Sequence, residues 1–248
     1  GLADNNESVR IYSLWALEKF KNPVSFPAIV EALADSSEDV REYAARLIEN
    51  LNDPLFLPVL QRFIQNEAFP LDARVSALRI MGRTGDSSVK QFILDKTRDF
   101  NALVRYSAMK SLYDLDRFDP DCLKTLTYLE NNDSSPRVRS ESSVLLNNIV
   151  KEMRVRLNST DSNERLFVLD RIDPLVGAKE LPGLLLNMAS SRYPEVREKM
   201  LLTVKEEPNK IFARSVRETM KESDVTLKKL AALALGEIRD RQSVPLLR

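Results

Sequence analysis

The 248-residue sequence contains no histidine at all. That absence removes the commonest general base, the His-based catalytic triads and the His zinc motifs together. A single cysteine, Cys122, excludes an internal disulfide and a thiolate metal cluster. Only 6 glycines are present, which argues against a glycine-rich phosphate-binding loop. No apolar run approaches the ~18 residues that a membrane span needs. No charged-then-apolar leader opens the chain, and cytoplasmic residence is the default expectation. Neither charge sign is in excess, with 37 basic and 37 acidic residues. A duplex-binding domain usually shows a basic surplus, so the balance weighs against nucleic acid as a partner.

What the sequence does contain is a period. A basic residue recurs as Arg10, Arg41, Arg74, Arg105, Arg139, Arg165, Arg197 and Lys228, at spacings of 31, 33, 31, 34, 26, 32 and 31. Five of these follow valine: Arg10, Arg41, Arg105, Arg139 and Arg197. Three residues on stand Ser13, Ala44, Ala77, Ala108, Ser142, Val168, Met200 and Ala231. Seven on stand Leu17, Ile48, Met81, Leu112, Leu146, Ile172, Val204 and Leu235. Offsets of three, four and seven share one helix face, so each register predicts a helix with small residues where a neighbour comes close.

A second apolar segment follows each first one. Segments 22–34 and 53–65 carry prolines at Pro23, Pro27, Pro54 and Pro58. Proline costs least in turns and first helical turns. Further second helices are expected at roughly 87–95, 120–130, 180–189 and 209–220. The fold class predicted is all-α: a right-handed α-solenoid of stacked antiparallel helix pairs, about 8 units of about 31 residues.

The pattern resembles the HEAT repeats, and among them the short kind named after bilin lyases. That kind pairs an acidic loop residue with Val-Arg, an Ala-rich first helix, a Gly-containing turn and a Pro-led second helix. Here the acidic member is Asp35, Asp133 or Asp161, and the turn is most complete at 235–247. The resemblance implies the fold across residues 1–248 and leaves activity open, because the fold is widely shared.

The period falters once, between Arg139 and Arg165. Segment 143–160 lacks a clear turn, and either a single long helix or a shortened second helix fits it. A change of curvature is expected over 140–165, with a division into 1–150 and 158–248 as one option. Neither end shows a polar capping repeat. The expectation is a segment of a larger protein with flanking domains.

Functional candidates divide into a ladder and a surface. The recurrent basic residues, Arg10 to Lys228, read as structural joints that reach acidic groups and carbonyls of adjacent loops. Tyr12 and Trp15 lie at outward-looking positions, and Tyr43 repeats Tyr12 one register on. Arg137, Lys151, Arg154 and Arg156 form the densest basic stretch, against Glu141 and Glu152. Asp114, Asp116, Asp119 and Asp121 read as turn and helix-start carboxylates. Cys122 reads as an inert, half-buried thiol. No catalytic, cofactor or metal residue is assigned. The reading is a non-catalytic scaffold that binds a protein partner through its solenoid surface. Nucleic-acid binding in the manner of HEAT-like DNA glycosylases, or a bilin-lyase-like enzyme or chaperone, are the alternatives.

Overall fold

The computed structural model describes residues 1–248 and is entirely helical. Its helices come in consecutive pairs. α1 (Glu7–Phe20) is followed by α2 (Phe26–Glu31), α3 (Glu38–Leu51) by α4 (Phe56–Gln65), and α5 (Leu71–Arg83) by α6 (Lys90–Lys96). α7 (Ala102–Asp116) is followed by α8 (Pro120–Asn132). α9 (Pro136–Leu157) stands without a second helix. Then α10 (Ser162–Leu169) is followed by α11 (Leu181–Ala189), α12 (Pro194–Glu206) by α13 (Ala213–Thr219), and α14 (Val225–Ile238) by α15 (Val244–Leu247). The predicted second helices all form, most of them entered through a short 3₁₀ turn.

The pairs fold for local reasons. An Asx side chain closes most turns inside a pair by accepting the amide two residues on. Asn22 does this for Val24, Asp53 for Leu55, Asp86 for Ser88, Asp119 for Asp121 and Asn209 for Ile211, at 2.8–3.1 Å. First helices are capped in the same way by Asn6, Ser37, Asn101, Asp161 and Asp224. Each such cap satisfies an amide that the helix itself leaves orphaned.

Two compact units divide the chain. The first comprises residues 1–125 with 134–138, and the second 126–133 with 139–248. In the first, Leu14, Ile29, Val40, Ala44, Leu60, Ala77 and Met81 are fully buried. Phe26 and Phe56, from consecutive second helices, stack at 3.7 Å between centroids. α5 and α7 come so close at Gly82 that a β-carbon there would stand 2.6 Å from Ser111. The Ser111 hydroxyl uses this proximity, donating to the Leu78 carbonyl at 2.9 Å. In the second unit, Leu146, Ile149, Met153, Leu184, Met188, Met200, Val204 and Ala231 form the buried stripe.

The stretch without a turn is one helix of 22 residues. Its buried residues Leu146, Ile149, Val150, Met153 and Leu157 prolong the apolar stripe where other registers turn. The next register therefore arrives after 26 residues.

Candidate interaction surfaces

The ladder residues are placed at the starts of the first helices, and most hold the loop that precedes them. Arg10, Arg41, Arg105, Arg139 and Arg165 each donate through Nη1 to the carbonyl six residues back, at 2.6–2.9 Å. Arg197 does the same to Ser191. Four of them share that nitrogen with the carbonyl five residues back. A cation gains nothing from the helix dipole at this end, so these fixed carbonyls supply the compensation.

Carboxylates complete only some joints. Arg10 grips Asp35 with Nε and Nη2, both at 2.8 Å. Arg165 holds Glu195 at 2.8 Å while its guanidinium lies 3.7 Å from the Tyr193 ring. Arg197 reaches Glu222 at 3.0 Å. Arg105 finds the Ser134 hydroxyl instead, at 3.1 Å. Arg41 bonds the Asp35 and Ser36 carbonyls and no carboxylate, since Asn66 stands where an acid would. Arg74 lies outside the scheme: its Nε is buried without a hydrogen-bond partner. Its loop has Ala68 and Pro70 where others have an acid and a cap, and Phe69 stacks on Phe63 at 4.1 Å.

Burial desolvates the Asp35 carboxyl, which pushes its pKa upward. The Arg10 guanidinium and the Ser37 amide outweigh that and hold it below the ordinary carboxylate range. Glu180 shows the opposite balance. Desolvation, reinforced by the nearby Glu130 carboxylate, raises its pKa despite a 3.3 Å bond from Ser143. The Glu130 side chain is itself fully buried, with Lys179 Nζ 3.5 Å away.

The surface candidates separate. Tyr12 is 71% and Trp15 50% exposed, three residues apart on one face of α1. Lys19 lies over the Trp15 ring at 5.5 Å. Tyr43 is already engaged, its hydroxyl donating to Glu18 at 3.1 Å. Arg137 belongs to the first compact unit and stacks on Tyr106 at 4.7 Å. Lys151, Arg154 and Arg156 belong to the second. Lys151 is exposed, while Arg156 is held by Glu152 and Glu164 at 3.0 and 3.3 Å. Arg154 is half-buried against Gly183, whose β-carbon would come within 2.9 Å of its Nη2.

The acidic run near residue 116 serves turns and helix starts. Asp116 accepts the Phe118 amide, and Lys90 Nζ lies between Asp119 and Asp121 at 3.1 and 2.9 Å. Cys122 is fully buried, beyond the half-buried state expected, because it begins the apolar face of α8. That burial pushes its thiol pKa far up.

Repeated helix pairs, stapled at their loops, define a HEAT-like α-solenoid. Family models agree at both ends. The model described as HEAT repeats matches residues 1–72, and that described as PBS lyase HEAT-like repeat matches residues 228–248. The chain belongs to the HEAT-repeat family, with repeats of the bilin-lyase type. No curated protein matches it. Among solved structures it is similar to human deoxyhypusine hydroxylase in complex with glycerol, at 14% identity and a TM-score of 0.41, covering 95% of this chain and 92% of that one. It is also similar to the complex of CpcE and CpcF of phycocyanin lyase from Nostoc, at 14% identity and a TM-score of 0.37, covering 89% and 90%. A third likeness is to an engineered protein, at 14% identity and a TM-score of 0.40, covering 96% and 77%. No helix is long and apolar enough to cross a membrane.

Proposed function

We propose that this repeat scaffold is non-catalytic and binds a protein partner, with the α1 face as one contact surface. The observation that carries this reading is a division of labour among side chains. Most of the recurrent arginines are spent on loop carbonyls inside the molecule. Tyr12 and Trp15, in contrast, are large, exposed and mounted on a helix whose start is pinned by Arg10 and Asp35. Aromatic side chains on rigid elements are the usual energetic centres of protein interfaces. Lys151 and Arg137 are exposed cations that extend the polar surface of such a scaffold.

The test is site-specific photo-crosslinking from positions 12 and 15, with position 155 on α9 as a control. A protein crosslinked from α1 and lost with the Tyr12→Ala/Trp15→Ala double variant is the expected result. The variant keeps its helical circular dichroism, because both side chains are largely exposed. Equal crosslinking from all three positions, or undiminished capture by the double variant, overturns the assignment.

A further inference from the structure

The turns inside the helix pairs share one geometry, yet not one composition. The residue after the turn Asx is Pro23, Pro54, Ser87 and Pro120 in the first four turns. In the last two it is Lys210 and Arg241. Proline or serine suffices to build the turn, so folding does not require a cation there. Two further cations join them. Arg214 comes from α13, and Arg239 from the left-handed residue that ends α14, at φ +54°. Lys21 and Asn52 hold the same backbone conformation at the same register, so it is the side chain at 239 that differs, not the fold.

These residues surround an open cleft of about 690 Å³ within the second compact unit. Five cations line it: Lys210, Arg214, Arg217, Arg239 and Arg241. The one carboxylate in the lining, Asp240, is taken by Arg217 at 2.7 Å. Glu218, the acid beside Arg214, is gripped by Lys221 with both oxygens at 2.9 Å. Lys210, Arg214, Arg239 and Arg241 are exposed. Their side chains make no hydrogen bond or ion pair within the protein. Among them sits Ile211, an aliphatic side chain 53% exposed.

We propose that this cleft docks an acidic segment of a protein partner, one with an aliphatic side chain among its carboxylates. The proposal rests on the scaffold reading and gives that scaffold a second contact surface of defined chemistry. Three arginines supply planar forks suited to carboxylates, and unpaired cations around one cleft set the sign of the ligand. Ile211 decides between polyanions. A peptide side chain can cover it, whereas a phosphodiester strand leaves it wet and would rely on a longer run of cations.

Fluorescence anisotropy of the full chain tests this directly. The probes are a labelled EDELEDE peptide, the same peptide with Ser for Leu, a QNQLQNQ peptide and a hexathymidylate strand. The acidic Leu peptide should bind about tenfold tighter than its Ser counterpart, as burying one leucine implies, and the neutral peptide should not bind. Arg214→Glu and Arg241→Glu should each weaken the acidic peptide at least tenfold with an unchanged Tm. Lys21→Glu, at the register of Arg239 but in the first compact unit, should have no effect. Absence of binding, indifference to Arg214→Glu and Arg241→Glu, or tighter binding of hexathymidylate overturns the inference. Crosslinking from α1 is untouched by any of these outcomes, so failure of the cleft and failure of the scaffold reading are told apart.

Discussion

The α3–α4 pair and the long helix α9 begin alike and end differently. Each opens with Val-Arg, at Arg41 and at Arg139, and each arginine bonds the carbonyl six residues back. Eleven residues on, α3 meets Asn52, which accepts the left-handed conformation at φ +41°, and then Asp53 and Pro54. α9 meets Val150, Lys151 and Glu152 at the same positions. A β-branched residue resists the left-handed region, and neither Lys nor Glu breaks a helix. Three residues therefore decide whether a register becomes a pair or a single helix. The start of the repeat has no say in the matter.

The sharpest way to break this comparison is to move the stop signal. Glu152→Pro puts a proline where Pro54 stands in α3–α4, but inside a continuous helix. It removes a backbone hydrogen bond and clashes with the preceding turn, at a cost of about 3 kcal/mol or more. Urea denaturation followed by circular dichroism should show that loss. An unchanged midpoint would mean that α9 is already interrupted near residue 152. The reciprocal change, Asn52→Val, forces a β-branched side chain into the left-handed conformation and should cost about 1–2 kcal/mol.

Arginine joints of graded completeness offer a second, smaller series. Arg10 has two carbonyls and a two-pronged carboxylate, Arg41 has two carbonyls, and Arg74 has a buried Nε with no partner. Arg41→Ala should cost about 1–3 kcal/mol through its lost charged hydrogen bonds. Arg10→Ala should cost more, because it also strands Asp35. Arg74→Ala should cost least of the three. Thermal denaturation of the single variants checks the order, and an Arg74→Ala loss as large as that of Arg10→Ala would contradict it.

Much of this was legible in the sequence, because the repeat is written in local terms. The Val-Arg register, the small residues three on and the prolines of the second helices each report a neighbour within a few residues or one period. The absence of a turn after Leu146 was likewise visible. The Asx turns at Asn22, Asp53, Asp86, Asp119 and Asn209 were overlooked, although their spacing follows the same period. Reading Asx residues with the prolines would have found them. The basic cleft was hidden for a different reason. Lys210 and Arg214 stand among Glu206, Glu207 and Glu218 in the linear order, which cancels their charge. Only folding brings Arg239 and Arg241 to them and hands Glu218 to Lys221. Tyr12 and Tyr43 look equivalent in register, yet Tyr43 finds Glu18 one helix back and Tyr12 remains exposed.

Carboxylates give the gentlest form of the contrast between satisfied and unsatisfied joints. Asp35 has a lowered pKa, so its bonds stabilise the fold above the unfolded value of about 3.9 and are lost as pH falls through the lower folded value. Glu180 has a raised pKa, and the sign reverses. Above the unfolded value of about 4.3 the folded protein holds its proton more tightly than the unfolded chain does, so stability declines as pH rises through that window. Once ionised, the carboxylate faces Glu130 with its Oε2 buried and without a hydrogen-bond partner. Glu180→Gln mimics the protonated acid without the titration. It should match the parent near pH 4 and exceed it increasingly toward pH 7, in urea midpoints measured across that range. A parent and variant that run parallel from pH 4 to 7 would show that Glu180 ionises in the folded protein as freely as in the unfolded chain.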